Sequence, residues 1–304
     1  MTKKLTALLL SALLLLSFSP ALAAGGVTVT DMMGREVTLS EPAERVVALT
    51  AADCEILCAL GCEEALVGRG QYCDYPESIL EVPSVESGSN TNLEEIIALD
   101  PQVVLMSTMA QTTEQSERLA QAGIGTVISN ASDIEGTYEA IRIIGQLMGK
   151  SQEAEALVSE MEDTFRRVSE KAGDSGKTVY FEVSPLQYGL WTAGKGTFMD
   201  ELARMCGLRN AFEDVEGWAQ ISEEQVLERD PDYIVTITMY FGEGPTPVEE
   251  ICQRAGWENL RAVQNHAILN ADSNVISRPG PRLMEAAQVL LDFITEAQDL
   301  DSAA

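Results

Sequence analysis

The sequence is short of three things, and each shortage excludes something. It has a single histidine in 304 residues, so it cannot build the multi-histidine sites that zinc and transition-metal proteins use most often. It sets 20 basic residues against 48 acidic ones, a formal charge of −28. A chain this negative repels polyanions, which makes nucleic acid and anionic membrane surfaces poor partners. Aromatic residues make up only 6%, so those outside apolar stretches are informative. No nucleophile–base pair can be assembled around His266, and no enzyme is expected. What the chain does have is 45% apolar content, ordinary for a globular protein with a real core. Its length suggests about two domains.

Residues 1–23, MTKKLTALLLSALLLLSFSPALA, read as an export signal. Lys3 and Lys4 form a positive head, an apolar stretch follows, and Ala21 and Ala23 give the small-x-small pattern before cleavage. The first cysteine is Cys54, so the cysteine a lipid anchor needs at the cleavage site is missing. The mature chain is expected to be a soluble monomer, periplasmic or otherwise extracytoplasmic. That compartment permits disulfides, but Cys54, Cys58 and Cys62 recur on one face of a helix predicted over 52–61. Side-by-side neighbours on a helix are poor disulfide partners, and these three read as small core residues. The spacing leaves any pairing among Cys73, Cys206 and Cys252 open.

The chain repeats itself. NLEEIIALDPQVVLMS and ISEEQVLERDPDYIVTIT each give a short helix, an Asp-Pro stop and a buried strand. Asp100 matches Asp230 and Pro101 matches Pro231, an offset of 130 residues. Apolar runs at 46–49, 103–106, 126–128, 179–183, 233–237 and 267–269 read as fully buried strands alternating with helices. Residues 27–40 read as a hairpin. Between the repeats, Ala154, Leu157, Val158, Met161, Phe165, Val168 and Ala172 recur at helical period. The expectation is an α/β protein of two similar lobes with mostly parallel sheets, joined by one long rigid helix. Its parts are a signal peptide (1–23), an N-terminal lobe (24–149), a linking helix (150–174) and a C-terminal lobe (175–304).

The scarce aromatics collect in loops after predicted strands: Tyr72 and Tyr75 in QYCDYP, Trp191 in GLWTAGKG, Trp218 in EGWAQIS, Tyr240 and Phe241 in MYFGEGP. Ligands of open α/β sheets bind at the carboxyl ends of the strands, where aromatic faces from both lobes could grip a large flat ligand. GLWTAGKGT nearly matches a phosphate loop, but Gly196 replaces the magnesium-holding hydroxyl; it reads as a flexible glycine loop presenting Trp191. In SRPGPRL, Arg278 follows a strand and could point into a cleft, while Arg282 starts the last helix.

With these residues in view, the chain resembles the helical-backbone class of ABC-transporter substrate-binding proteins. VTVTDMMGREVTLSEPAERVVALTAADCEILCALG, the paired Asp-Pro strands and the linking helix carry the likeness over essentially all of the mature chain. GRGQYCDYP, GWAQISEEQVL and SRPGPRL look closest to the cobalamin (corrinoid) receptors of that class. The resemblance implies ligand contacts at Tyr72, Tyr75, Trp218 and Arg278. Asn274 stands where the family often has aspartate and is taken as a further contact. It also implies that one surface glutamate per lobe, Glu94 and Glu224, docks on a permease dimer; their separation is again 130 residues. The implied function is capture of cobalamin or a related corrinoid between the lobes for delivery to an importer, with no catalytic cofactor and no metal. Alternatives are a ferric siderophore or haem receptor of the same class, with Arg69 and Arg278 as its cations, and an exported hydrolase built on Ser184 or His266.

Overall fold

The apolar runs become buried strands and the stretches between them helices, in a computed structural model that describes residues 26–108 and 111–303. The leader read in residues 1–23 lies outside the described residues. The first lobe opens on an antiparallel hairpin, β1 Val27–Thr30 and β2 Glu36–Leu39. It continues through β3 Val46–Ala48, α1 Ala51–Ala59, β4 Leu66–Gly70, β5 Ser84–Val85, α2 Leu93–Ala98, β6 Val103–Met106, α3 Thr113–Gln121, β7 Gly125–Ile128 and α4 Ile134–Leu147. After α5, Ser151–Ala172, the second lobe runs β8 Thr178–Ser184, β9 Trp191–Ala193, α6 Phe198–Met205, β10 Arg209–Asn210, β11 Trp218–Gln220, α7 Glu223–Arg229 and β12 Tyr233–Thr236. It closes with α8 Pro247–Gln253, α9 Arg261–Gln264, β13 Ile268–Asn270, α10 Ser273–Ile276 and α11 Leu283–Ala303.

In the first lobe five parallel strands lie in the order β5-β4-β3-β6-β7. In the second, β8-β12-β13 repeats the β3-β6-β7 arrangement, and β9 and β11 extend it antiparallel. Successive strand residues point to opposite faces. Val46, Ala48, Val103 and Leu105 therefore join a core shared by the lobes, while Val47, Val104 and Met106 build an outer core of the first lobe. Likewise Val179, Phe181, Tyr233 and Val235 join the shared core, and Tyr180 and Ile234 turn outward. Both faces are covered, which is why these strands read as continuous apolar runs.

The repeat is written into the backbone. Asp100 and Asp230, just after α2 and α7, both take left-handed φ values, 51° and 40°. Aspartate tolerates that conformation, and the proline after each cannot extend the helix. Asn92 and Ser222 cap the same two helices, accepting from the backbone N–H of Glu95 and Gln225.

The α5 helix has 22 residues, about 33 Å at its rise of 1.5 Å per residue. It starts after Gly149 and stops at Gly173, both at positive φ. Ala154, Val158, Met161, Phe165 and Val168 are buried, with Leu157 and Ala172 packed at the margin of the stripe. The helix packs on α4 of the first lobe and on α6 and α11 of the second. Gly145 of α4 allows the close approach, since a Cβ there would stand 2.4 Å from the Ala154 Cβ. One core thus runs from lobe to lobe through α5.

Three readings need correction. Residues 191–193 are not part of a flexible loop but strand β9, held between β8 and β11. Gly194 is there because a Cβ would stand 2.1 Å from the Val215 carbonyl oxygen, a packing demand rather than mobility. Strand β4 was hidden because its sequence, LVGRG, interrupts the apolar run with Gly68, Arg69 and Gly70. Among the cysteines, Cys54 and Cys62 are core residues, but Cys58 is only partly buried.

Candidate functional site

The loops at the carboxyl ends of the first lobe's strands meet the second lobe around a cavity of about 350 Å³. Its floor is the start of α1, Thr50 to Asp53, which follows β3; Ser107 follows β6, and Ser129 to Ser132 follow β7. The second lobe contributes Trp218 from β11 and Ser277, Arg278 and Pro279 from the turn before α11. Trp218 is held by a tilted contact with Phe198, ring centroids 5.4 Å apart.

Asp53 sits at the bottom, almost fully buried. It is the third residue of α1, and its N–H donates to the capping hydroxyl of Thr50 at 3.1 Å. Its carboxylate accepts the Thr50 and Ser129 hydroxyls, each at 2.6 Å. Burial pushes its carboxyl up to about 6, against the lowering effect of those two hydroxyls. Because the folded value exceeds the unfolded one near 3.8, the protonated form adds stability that is complete below about pH 4 and is lost as pH rises through about 6. Asp53→Asn keeps one acceptor for Ser129 and turns an N–H toward Thr50. It is expected to stabilise the unliganded protein at pH 7.5 by up to about 3 kcal/mol, and to have little effect at pH 4. Thermal melts at the two pH values check this; an equal effect at both would contradict it.

Arg278 is in the cleft wall, but its charge is already spoken for. Its Nη1 donates to Glu55 Oε1 at 2.9 Å and Asp74 Oδ1 at 2.7 Å. Its Nη2 donates to Asn274 Oδ1 at 2.6 Å and the Tyr72 carbonyl at 3.3 Å. Burial works against the guanidinium's charge, and the bonds to Asp74 and Glu55 more than offset it. Glu55, Asp74 and Tyr72 belong to the first lobe, so this arginine is a latch between lobes. On another side of the contact, Phe198 N–H donates to the Ser132 carbonyl at 2.9 Å, and the Glu201 carboxylate accepts the Ile134 N–H at 2.7 Å. With α5, these bonds favour small lobe movements over wide hinging.

The other expected contacts are distributed around this cleft. Tyr72 is 70% exposed and its loop carries the latch carbonyl. Trp191 is partly exposed where β9 returns from the carboxyl end of β8, beside the cavity rather than in its wall. Tyr240, Phe241 and Asn274 line an adjoining hollow of about 480 Å³, and Phe241 is 85% exposed. Tyr75 is not in the cleft. Its ring lies under the Arg282 guanidinium at 4.1 Å, beside a separate cavity lined by Glu55, Cys58 and Pro281. Arg69 is also elsewhere, donating to the carbonyls of Cys73, Ile79 and Leu80. The sequence reading missed Asp53, the hydroxyls of Thr50, Ser107 and Ser129, and two exposed apolar residues after strand ends, Tyr188 and Met239. Their one available signal was position, within five residues after the end of a predicted strand.

Glu94 and Glu224 are the second residues of α2 and α7, and both are exposed. Tight Asp-Pro turns lead from these helices into β6 and β12, so the helix starts lie at the strands' carboxyl ends, the side on which the cleft opens. A hydrogen bond from Ser222 holds the Glu224 carboxyl below its ordinary value.

Comparison with known proteins gives these features a context. A family profile described as periplasmic binding protein matches residues 46–275. An uncharacterised ABC transporter substrate-binding lipoprotein of Bacillus subtilis, YvrC, is 32% identical over 275 residues, 88% of this chain and 85% of that one. A cobalamin-binding protein of Halobacterium salinarum is 29% identical over 85% of this chain and 71% of its own. Among solved structures, a possible iron-binding periplasmic solute-binding protein of Staphylococcus epidermidis superposes with a TM-score of 0.72 at 29% identity, covering 84% of this chain and 99% of that one.

Proposed function

The chain belongs to the periplasmic binding protein family and is a substrate-binding protein of ABC transport rather than an enzyme; from that premise we propose that its ligand is cobalamin or a related corrinoid. The observation that carries this reading is the chemistry of the cleft. Its polar groups are hydroxyls and an amide, Asp53 is occupied by two of those hydroxyls, and Arg278 is paired with two carboxylates. Such a lining suits a large ligand whose rim carries neutral amides, and it offers little to a polyanion. Trp218, Trp191 and the exposed Tyr72 and Phe241 supply apolar surface for a flat macrocycle. A corrinoid lies at or beyond the upper end of ordinary pocket volumes, ~1,000 Å³. It therefore needs the cleft and the adjoining hollow together, and they meet at Asn274 and Arg278. The Halobacterium relative's name supports the same ligand.

A second reading, an iron-chelate receptor, is favoured by the name of the Staphylococcus structure. Its neutral form, a ferric hydroxamate, suits the hydroxyl lining as well. Anionic catecholates and the haem propionates would need cations, and Arg69 and Arg278 are both committed to protein acceptors. We assign docking on the permease to Glu94 and Glu224, which are exposed at equivalent points of the repeat. The test of the ligand is a thermal-melting panel with cyanocobalamin, dicyanocobinamide, a ferric hydroxamate and hemin. A ligand at 100 times its Kd adds about 3 kcal/mol, which is expected from a corrinoid and not from hemin. A shift with the hydroxamate alone would favour the second reading.

A further inference from the structure

Two of the six free thiols address the same atom. Cys54 Sγ lies 3.7 Å from the Ala48 carbonyl oxygen, and Cys73 Sγ lies 3.8 Å from that oxygen. Both side chains are fully buried, one on α1 and one in the tyrosine loop, 19 positions apart. The Cys73 thiol, with burial, pushes the Cys54 thiol well above its ordinary value, as two adjoining thiols should. Cys62 and Cys206 have acceptors of their own, the Leu60 and Ala287 carbonyls. The substrate-binding component of an importer works outside the cytoplasm, where a disulfide persists.

We propose that Cys54 and Cys73 are joined by a disulfide that staples the tyrosine loop to α1. It forms during folding, before the pair is buried, by exchange with a disulfide oxidant. The two thiols give up their protons and two electrons, the new S–S bond forms, and the oxidant's S–S bond breaks to two thiols. Tyr72 and Asp74 flank Cys73 and hold Arg278, so the bond fixes the first lobe's half of the latch. The inference rests on the extracytoplasmic setting and not on the identity of the ligand.

The test needs no ligand. The full chain is refolded in an oxidising glutathione buffer, denatured and alkylated without reductant. Four of the six cysteines are expected to react, with peptide mapping linking Cys54 to Cys73. Reduction is expected to lower the Tm by roughly 5–10 °C. Cys73→Ala abolishes the reductant-dependent shift, and Cys58→Ala retains it. Six reactive cysteines after oxidising refolding, or a link between any other pair, would overturn the proposal.

Discussion

Reversing both Glu94 and Glu224 to lysine is expected to lower uptake by roughly 100-fold or more, while ligand affinity stays within about twofold of the original. Both residues are exposed, neither lines the cleft, and they occupy the same position of repeated helices. Their removal therefore has no route to the ligand, whereas under the proposed docking lysines would set positive charge where a permease surface is expected to be complementary to two carboxylates. Each single reversal should cost part of the loss, because one lobe remains anchored. Uptake in cells, paired with equilibrium binding on the purified chain, separates the two effects. Unchanged uptake in the double variant would move the contact to another surface.

The largest effect on stability is expected at Arg254. Its side chain is 2% exposed and makes bidentate bonds with Glu182 at 2.6 and 2.9 Å, where the glutamate is 1% exposed. Glu250 holds the same guanidinium, which stacks over Trp257 at 4.4 Å. Arg254→Ala leaves the Glu182 carboxyl buried without its cation and should cost about 3–5 kcal/mol. Replacing Glu182 and Arg254 together by methionine removes both charges and should cost far less. Burial already pushes the Glu182 carboxyl up, against the pull of Arg254. Without Arg254 the folded value rises further, so the deficit of Arg254→Ala should shrink as pH falls and Glu182 takes up a proton. Chemical denaturation of the three proteins at pH 8 and pH 5 checks the cost and its direction. A double variant as unstable as the single one would contradict the ion-pair explanation.

Much of the architecture was legible because buried parallel strands announce themselves as apolar runs, and because Asp100-Pro101 and Asp230-Pro231 mark the same break twice. The α5 stripe was equally plain, since five of its seven residues are buried on one side of a single helix. Strands β4 and β9 were obscured by glycines placed for close backbone approach, Gly70 against the Leu49 carbonyl and Gly194 against that of Val215, which composition cannot distinguish from turns. Strand β11 was obscured by its length of three residues after Gly217 at positive φ. The site divides the same way. Trp218 and Arg278 stand out as residue types, and both line the cleft. Asp53, Thr50 and Ser129 are unremarkable in a row of residues and become a site only when β3 and β7 bring them together. The latch was hidden for a different reason: Glu55 lies 223 positions from Arg278, and any of 48 acids could have been its partner.

The central claim is that the cleft takes a corrinoid, and titration of tryptophan fluorescence with cyanocobalamin and dicyanocobinamide tests it directly. Saturable one-to-one quenching is expected, weakened at least roughly 30-fold by Trp218→Ala, the cost of removing a buried aromatic anchor. Absence of saturable quenching by either corrinoid, with saturation by a ferric hydroxamate or hemin instead, would contradict the claim.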